Sequence, residues 1–383
     1  MSSEKKVLIV TALTGFVRAF LVDDIKILQS MGYNVVCAAN SAGDDRSLEQ
    51  NIEYFKQLDV RFVDVPFSSN DPFSWQNLKA YCAVKKLLKK ERFCLVHVHT
   101  PIPGVFVRWA AKKYRKNTKI IYTTHGFYFH EKSSKKNWII FYNVEKFMSR
   151  FGDAIITINK EDYNNAKTMY SPEVFRINGV GVDTKKFINT KVDKLEYRKM
   201  LGLKEDDKVI LSVGELSDRK NHQIIIKALA ELNDPSWIYL IVGRIIKGQG
   251  TYEALTKLAS DLNVRVDFLG YRRDIPELSK CADMGALPSS REGLGLAGIE
   301  MLASGNPVVA SNIHGIKDYI QNGSTGYLAD PYDEKSFADA ILQTYDLKRK
   351  SKTEIKCIEK ASMFDKEVSH KQRLDIYQKF LKD

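Results

Sequence analysis

Short runs rich in apolar and β-branched residues alternate with helical patterns along the first half of the chain. The runs are largely apolar throughout instead of at every second position, which is typical of strands that are covered on both faces. Helical stretches between them, such as the one from Val17 to Met31, indicate crossover connections. The pattern therefore predicts a parallel sheet with strands at 7–10, 34–39, 61–65, 95–99, 119–124 and 153–158.

The same alternation begins again after a charged stretch at 191–200. The later strands are expected at 208–214, 238–243, 264–270, 282–288 and 306–311. We therefore expect an α/β fold of two doubly wound, Rossmann-like domains that face each other across a cleft. They would comprise residues 1–185 and 186–365, with a C-terminal helix at about 366–383 that returns to the first domain. Ligands of such sheets bind at the carboxyl ends of the strands.

Length and composition exclude several classes of protein. A chain of 383 residues favours two or three domains, and 44% apolar with 28% charged residues is ordinary for a globular enzyme. The longest apolar run, at 138–144, is far shorter than the roughly 18 residues of a membrane span. The apolar N-terminal run is interpreted as a buried strand, not as a signal peptide. The five cysteines form no C-x-x-C pair, which favours reduced thiols and a cytoplasmic protein.

The net charge of +12 is concentrated in the first half of the chain. Residues 1–150 contain 24 Lys and Arg against 13 Asp and Glu, a net charge of +11, so the remaining residues carry only +1. Between Lys79 and Lys119 there are 12 basic residues and a single acidic one, Glu91. This asymmetry predicts different partners for the two halves.

The most specific chemistry lies in the segment SSREGLGLAGIEMLASGNPVVAS at 289–311. A glycine-rich loop follows a predicted strand and precedes a helix from about Leu296 to Ala303. The N-terminus of a helix attracts phosphate oxygens through its unpaired N–H groups and its dipole. A carboxylate at Glu300 would repel phosphate, so it suits the hydroxyls of a ribose, and Glu292 could reach a second hydroxylated group such as a sugar. The pair taken alone would favour a simpler interpretation, in which Glu292 is a solvated loop residue and Glu300 an ordinary helix glutamate.

With Pro288 before it, this segment resembles the signature of the retaining glycosyltransferases of family 4, P-S-x-x-E-G-x-G-x-x-x-x-E-x-x-A-x-G-x-P-V-V. Residues 267–289 resemble the family segment that frames the nucleotide base, and residues 212–232 the first strand, loop and helix of the donor domain. INGVGVDTKKF at 177–187 resembles the linker between the domains. The resemblance covers nearly the whole chain and implies the GT-B fold, in which two Rossmann-like domains face each other.

The resemblance implies a role for each residue of the signature. In the family the second glutamate binds the ribose hydroxyls of the donor and the first contacts the transferred sugar, which implies these roles for Glu300 and Glu292. Lys220 matches the family lysine, and a cation there suits a diphosphate that gains negative charge as it leaves. The diphosphate itself is expected on the backbone of Gly293, Leu294, Gly295 and Leu296.

One position departs from the family pattern. Many members have arginine directly after the glycine that ends the first donor-domain strand, whereas here Gly214 is followed by Glu215. A second cation for the diphosphate must then come from elsewhere, and Arg219 is the nearest candidate. The turn VGRIIKGQG at 242–250 is also altered.

The first domain offers fewer candidates. His125, in TTHGFYFH, matches the histidine that the family places at the cleft beside the donor phosphates and sugar. Gly15 matches a glycine loop against the donor, with one glycine where many members have two. Since His97 and His99 alternate on a strand, only one of them is expected to face inward, with His99 near the acceptor. The segments at 101–104, 122–130 and 156–166 resemble the subgroup that assembles capsular polysaccharides and exopolysaccharides on lipid carriers.

The resemblance thus implies transfer of a sugar, most commonly from a UDP-sugar, to a lipid-linked saccharide acceptor. Because the departing phosphate takes the acceptor proton in this family, neither a metal nor another cofactor is expected. The basic first domain is expected to bind an anionic membrane surface, so that the protein lies on the inner face of the plasma membrane. The residues proposed for that contact are Phe127, Tyr128, Phe129, Trp138, Phe141 and Tyr142, beside Lys132, Lys135 and Lys136.

Other classes of protein fit less well. A dinucleotide-dependent oxidoreductase needs G-x-G-x-x-G after the first strand, which TALTGFVRAF at 11–20 lacks. Nucleic-acid binding is suggested by charge alone, and the basic cluster lacks interleaved aromatic residues, so no nucleic-acid partner is expected. A GT-B epimerase, a phosphorylase or a non-catalytic basic nucleic-acid-binding or membrane-binding protein remains the alternative. The sugars, the linkage and the base of the donor stay open.

Overall fold

The computed structural model describes residues 5–42, 46–131, 133–245 and 250–381. The chain divides into two compact units, each with its own parallel sheet. The first unit comprises residues 1–180 together with 367–383, and the second comprises residues 181–366. The C-terminal segment thus belongs to the same unit as the N-terminus.

The sheet of the first unit has seven parallel strands in the order β3-β2-β1-β4-β5-β6-β7. The chain runs outward from β1 to β3 and then begins again on the other side at β4, so the order reverses between β1 and β4. Such a reversal opens a crevice at the carboxyl ends of the two strands, where ligands of open α/β sheets bind. The strands are β1 (Lys6–Leu13), β2 (Asn34–Asn40), β3 (Arg61–Asp64), β4 (Leu95–His99), β5 (Lys119–Thr124), β6 (Ala154–Thr157) and β7 (Glu173–Arg176).

The sheet of the second unit has six parallel strands in the order β10-β9-β8-β11-β12-β13. Here the order reverses between β8 and β11, which pair directly. The loops that follow these two strands therefore lie side by side. The strands are β8 (Lys208–Val213), β9 (Trp237–Val242), β10 (Val266–Gly270), β11 (Met284–Leu287), β12 (Val308–Ser311) and β13 (Gly326–Ala329).

Helices connect the strands of both sheets. Within the described residues, the helices between the strands of the first unit are α1 (Thr14–Phe16), α2 (Val22–Ser30), α3 (Leu48–Gln57), α4 (Trp75–Lys90), α5 (Pro101–Ala111), α6 (Lys135–Asn137), α7 (Asn143–Met148) and α8 (Lys160–Ala166). Later in the chain follow α9 (Thr184–Asn189), α10 (Lys194–Met200), α11 (His222–Leu232), α12 (Thr251–Asp261), α13 (Ile275–Cys281), α14 (Leu296–Ala303), α15 (Glu334–Lys348), α16 (Thr353–Ser362) and α17 (Lys366–Leu381). In the described parts of the chain, no helix is both long and apolar enough to cross a bilayer.

Two π-helical turns interrupt helices of the first unit. Val17–Leu21 joins α1 to α2, and Trp138–Tyr142 joins α6 to α7. A π-turn adds a residue to a helical turn and shifts the side chains that follow it, and such turns are frequent at functional sites. Both segments follow the carboxyl ends of strands, β1 and β5.

The predicted fold is confirmed: each of the eleven runs identified in the sequence contains a strand, and both sheets are of the doubly wound Rossmann type. Two strands, β7 and β13, were not predicted from the sequence. Each has four residues and lies at an edge of its sheet. None of the four residues of β7 is buried, and the two central residues of β13 are partly exposed, so no continuous apolar run marks these strands.

The membrane residues proposed from the sequence need correction. Phe127 and Phe129 are fully buried in the core of the first unit, with their rings stacked on each other. Tyr128, Trp138 and Phe141 are partly buried against the same core, as is Tyr142. Phe127 and Phe129 follow β5 closely and complete the core over the sheet, whereas the other four aromatic residues are only partly covered. Lys132 lies outside the described residues.

Candidate functional site

Glu292 is the centre of a polar cluster in the second unit, on the loop between β11 and α14. Its Oε1 accepts hydrogen bonds from Lys220 Nζ at 2.6 Å, Arg219 Nη1 at 3.0 Å and Ser289 Oγ at 3.0 Å. Within the described part of the chain, its Oε2 has no hydrogen-bond partner. The loops after β8 and β11 are thus tied together through one oxygen, and the second oxygen stays available.

In this cluster each charged side chain stabilises the charged form of its partners. Burial works against ionisation of Glu292, but Lys220 and Arg219 more than offset it, so the pKa of Glu292 lies below its ordinary value. Arg219 Nη2 also donates to Glu215 Oε1 at 3.1 Å. Although burial opposes the charge of Arg219, the two carboxylates raise the pKa of its guanidinium. Glu215, at the position where many family members have arginine, therefore holds Arg219 next to Lys220.

Close backbone packing fixes the loop that carries Lys220. A Cβ on Gly214 would lie 2.9 Å from Lys220 Cε, and a Cβ on Gly243 would lie 1.6 Å from the Gly214 carbonyl oxygen. Asn221 has a left-handed backbone with φ of 52°. Its side-chain amide donates to the carbonyl oxygens of Pro288 and Pro331 at 3.2 and 2.9 Å. Lys220 is therefore presented by a rigid turn.

Two glycines near the start of α14 make room for neighbouring side chains. Gly295, directly before α14, has φ of 78°, and a Cβ there would lie 2.7 Å from a methyl carbon of Leu287. A Cβ on Gly298 would lie 2.4 Å from the Tyr319 hydroxyl, which donates to Gly295 O at 2.8 Å. Gly298 therefore makes room for Tyr319. No local signal marked Tyr319.

Glu300 lies on α14, one turn beyond its start, and is half-buried. In the described residues its carboxylate accepts no hydrogen bond and forms no ion pair. Burial raises the pKa of Glu300, and Lys186 on α9 offsets this only in part. Buried polar groups normally have partners, so this carboxylate is available to hydroxyl donors of a ligand.

In the first unit, His125 follows the carboxyl end of β5 and is half-buried. Its Nε2 lies 3.2 Å from His99 Nδ1. The Phe16 ring packs edge-on against it, with centroids 4.7 Å apart, so Gly15, next to Phe16 at the end of β1, lies in the same region. Burial lowers the pKa of His125 to about 3. The imidazole is therefore neutral at physiological pH.

The expectation that only one of His97 and His99 faces inward was wrong. Residues two apart on a strand point to the same face, and both histidines are buried with ring centroids 4.0 Å apart. His97 Nδ1 lies 2.8 Å from the Tyr377 hydroxyl, which donates to Asp24 Oδ1 at 2.6 Å. His97 Nδ1 must then carry the proton, and His97 Nε2 accepts from Thr123 Oγ1 at 2.7 Å.

A buried ion pair completes this network. Arg373 on α17 donates to Asp24 Oδ2 at 2.6 Å and to Asp23 Oδ2 at 2.5 Å. Burial lowers the pKa of His97 to about 4 and that of His99 well below its ordinary value. Asp24, Arg373 and Tyr377 were missed in the sequence because their partners lie about 350 positions away along the chain. The C-terminal helix thus supports the strand that carries His97 and His99.

Comparison with known proteins places the chain in a family. The model for Glycosyltransferase Family 4 matches residues 22–186, and the model for Glycosyl transferases group 1 matches residues 193–362. A Bacillus subtilis (strain 168) protein named "Putative glycosyltransferase EpsD" is 34% identical over 351 residues, which covers 89% of this chain and 87% of the relative. The chain belongs to glycosyltransferase family 4. The roles of individual residues in this glycosyltransferase stay predictions.

A second relative in sequence and two solved structures agree with this assignment. The glycosyltransferase is 30% identical over 296 residues to the Escherichia coli UDP-Gal:alpha-D-GlcNAc-diphosphoundecaprenol alpha-1,3-galactosyltransferase, which covers 75% of each chain. Among solved structures, Anabaena Alr3699/HepE in complex with UDP and glucose superposes with a TM-score of 0.75 at 21% identity, over 98% of this chain and 100% of that one. A Rickettsia africae glycosyltransferase gives a TM-score of 0.77 at 21% identity over the full length of both chains. These structural neighbours establish the GT-B fold.

Proposed function

We propose that the glycosyltransferase moves a sugar from a UDP-sugar to a lipid-linked saccharide acceptor during assembly of a bacterial surface polysaccharide, with retention of configuration. The observation that carries the donor assignment is the contrast between its two glutamates. Glu292 is held by two cations, whereas Glu300, eight residues further on, has a carboxylate without a partner among the described residues. The E. coli relative, named for a UDP-Gal donor and a diphosphoundecaprenol-linked acceptor, supports the classes of both substrates.

The donor would bind along the loop from Glu292 to Glu300. Glu300 accepts hydrogen bonds from the ribose hydroxyls, since it has no protein partner among the described residues. The backbone from Gly293 to Leu296, at the N-terminus of α14, binds the diphosphate. Lys220 and Arg219 stabilise the negative charge that develops on the diphosphate as the glycosidic bond breaks. The unoccupied Oε2 of Glu292 accepts from a hydroxyl of the transferred sugar.

His125 would contact the sugar as a neutral group. Its low pKa means that it carries no extra proton at physiological pH, so it orients a hydroxyl and does not act as a general acid. The departing phosphate takes the acceptor proton, and the two cations supply the charge stabilisation that a metal would otherwise supply. We therefore expect turnover in the presence of EDTA to equal turnover with magnesium. A tenfold loss in EDTA would contradict this part of the proposal.

The first unit would place the enzyme on the anionic inner face of the plasma membrane. The surface that fits this role comprises the exposed residues Trp109, Phe147 and Tyr170 together with Lys112 and Arg150. Lys112 Nζ lies 3.2 Å from the centre of the Trp109 ring, and Arg150 Cζ lies 4.2 Å from that of Tyr170. Aromatic rings beside cations suit the lipid headgroup region. Co-sedimentation with anionic vesicles that weakens with salt is expected, and equal binding to neutral vesicles would contradict it.

The donor assignment is tested by calorimetric titration of UDP, GDP and dTDP in metal-free buffer. We expect UDP to bind, and Glu300→Ala to weaken it at least about tenfold, or about 1.4 kcal/mol. Glu253→Ala, which removes an exposed glutamate from α12, is the matched control and should bind like the wild type. Absence of nucleotide binding, or equal affinity in the Glu300 variant, would show that the donor site is wrongly assigned.

A further inference from the structure

An apolar cavity of about 270 Å³ lies in the first unit. Phe73 from the loop before α4 forms one side, and Val105 and Phe106 from α5 form a second. Ile140 and Val144, from the π-turn and α7, form the wall opposite α5. Since α5 begins directly after β4, the cavity lies at the carboxyl end of the sheet, the edge at which open α/β sheets bind ligands.

The walls of this cavity are apolar, and the charged residue among them is paired within the protein. Glu145 is the one charged residue among those that line it. Its carboxylate accepts hydrogen bonds from Arg108 at 2.5 Å and from the Tyr122 hydroxyl at 3.2 Å, so its charge is already compensated. Phe73 stands at the rim with 81% of its surface exposed. An open apolar cavity with an exposed aromatic rim is typical of a site for an apolar ligand.

Helical spacing places cations near two of these walls. Lys136 is exposed and precedes Ile140 by one helical turn, and Trp109 with Lys112 over its ring follows Val105 by one turn. In the parts of the chain that the structure describes, Lys136 forms no ion pair. The ligand expected here thus combines an apolar chain with an anionic group at one end.

We propose that this cavity binds the first isoprenoid units of the lipid carrier, with the diphosphate of the carrier toward Lys136. The inference rests on the proposed function, because that function requires an acceptor with this chemistry. It adds that the enzyme recognises the lipid itself, and not only the saccharide and the membrane. The carrier would enter beside the exposed aromatic and cationic surface that contains Trp109 and Lys112, so that little of the chain leaves an apolar environment.

The test measures binding of pyrophosphate and of isopentenyl, geranyl and farnesyl diphosphates by calorimetry, with the full-length enzyme saturated with UDP. Saturation keeps these probes out of the donor site. Val105→Trp and Val144→Trp fill the cavity from opposite walls. Ile139→Trp is the matched control, because Ile139 belongs to the same helical segment as Val144, is 67% exposed and does not line the cavity.

We expect affinity to rise at least tenfold from pyrophosphate to farnesyl diphosphate. Each filling variant should lose at least tenfold of that affinity, while Ile139→Trp stays within twofold of the wild type. Circular dichroism confirms that each variant is folded. Equal affinity for pyrophosphate and farnesyl diphosphate, or equal losses in the filling and control variants, would overturn the proposal. Equal binding of dodecyl phosphate, a straight chain, would overturn the isoprenoid assignment.

The affinity for UDP, measured for the same proteins, separates this inference from the proposed function. If UDP binds but the filling variants change nothing, the cavity assignment fails and the donor site stands. If UDP does not bind, the proposed donor fails, and the diphosphate series is then repeated without UDP. In that series, loss of farnesyl diphosphate binding in the filling variants would still support the cavity, and unchanged binding would overturn it.

Discussion

Replacing Glu292 by glutamine tests the electrostatics of the donor site most directly. Glutamine keeps the size of the side chain and one accepting oxygen, but it removes the negative charge that pairs with both Lys220 and Arg219. The Glu292 and Lys220 side chains are only 11% and 14% exposed. Two cations would then face each other with little screening by solvent, so we expect the second unit to lose stability.

The magnitude follows from the geometry. Opposite charges 2.6 Å apart, as in Lys220 and Glu292, attract by about 6 kcal/mol at an effective dielectric constant of 20. Removal of one partner of a buried pair costs about 3–5 kcal/mol in practice. The amide oxygen still accepts hydrogen bonds, and Arg219 keeps its contact with Glu215. We therefore expect the free energy of unfolding of the second unit to fall by about 3 kcal/mol.

The assay is urea denaturation followed by hydrogen exchange and mass spectrometry, without nucleotide, because peptides then report each unit separately. Glu215→Gln is the matched control. It removes another carboxylate from Arg219, but Glu215 is 45% exposed, so the cost should stay below about 1 kcal/mol. Equal stability losses in the two variants, or a Glu292 variant as stable as the wild type, would refute the reasoning.

The pH dependence of the same variant gives an independent check. The pKa of Glu292 is lower in the folded protein than in the unfolded chain. Its contribution to stability is therefore fully present above the unfolded pKa of about 4.3, and it is lost as the pH falls through the folded value. The difference between wild type and Glu292→Gln should accordingly shrink below about pH 4. A difference that stays constant down to pH 3 would contradict a charge effect.

Three further predictions concern other parts of the enzyme. Lys220→Met should lower the rate of sugar transfer by about 10²–10³-fold, measured by steady-state kinetics, because it removes charge stabilisation from the leaving diphosphate; an unchanged kcat would exclude this role. Gly298→Ala should destabilise the second unit by about 1–3 kcal/mol in thermal denaturation, since its Cβ would lie 2.4 Å from the Tyr319 hydroxyl, and a wild-type Tm would contradict that packing. Because the pKa of His97 is about 4 in the folded protein and about 6.5 in the unfolded chain, the unfolded chain binds protons first as the pH falls. His97 should thus stabilise the first unit most above pH 6.5, and its share of the stability, on the order of 3 kcal/mol, should be lost down to about pH 4. Because burial also lowers the pKa values of His99 and His125, these residues add further loss over the same range, and His97→Gln should reduce the pH-dependent loss by about the His97 share without abolishing it.

The positions of most strands follow from the sequence because burial on both faces demands a continuous apolar run. β7 and β13 could not be found in this way. Each has four residues at a sheet edge, and β7 reads EVFR, with two charged residues of four. Their strand conformation comes from hydrogen bonds to β6 and β12, which are partners that a local pattern does not reveal.

The candidate donor residues were also predictable, since Glu292 and Glu300 belong to one short segment of recognisable pattern. The fact that three donors meet at a single oxygen of Glu292 was not, because Lys220 lies 72 positions away. Likewise, the aromatic run at 127–129 looked suited to a membrane, but the sheet beneath it makes its two phenylalanines part of the core.

The sequence by itself determined where most of the strands form, and it indicated which short segments are candidates for phosphate and hydroxyl chemistry. Periodicity and loop composition are local properties, and they act over a few residues. The tertiary structure alone decided which distant groups form ion pairs and hydrogen bonds with each other. The order β8-β11 brings the loops of Lys220 and Glu292 side by side, and the packing of α17 places Tyr377 between His97 and Asp24. Such pairs depend on the order of the strands in the sheet and on the packing of distant helices, and no single stretch of sequence encodes either.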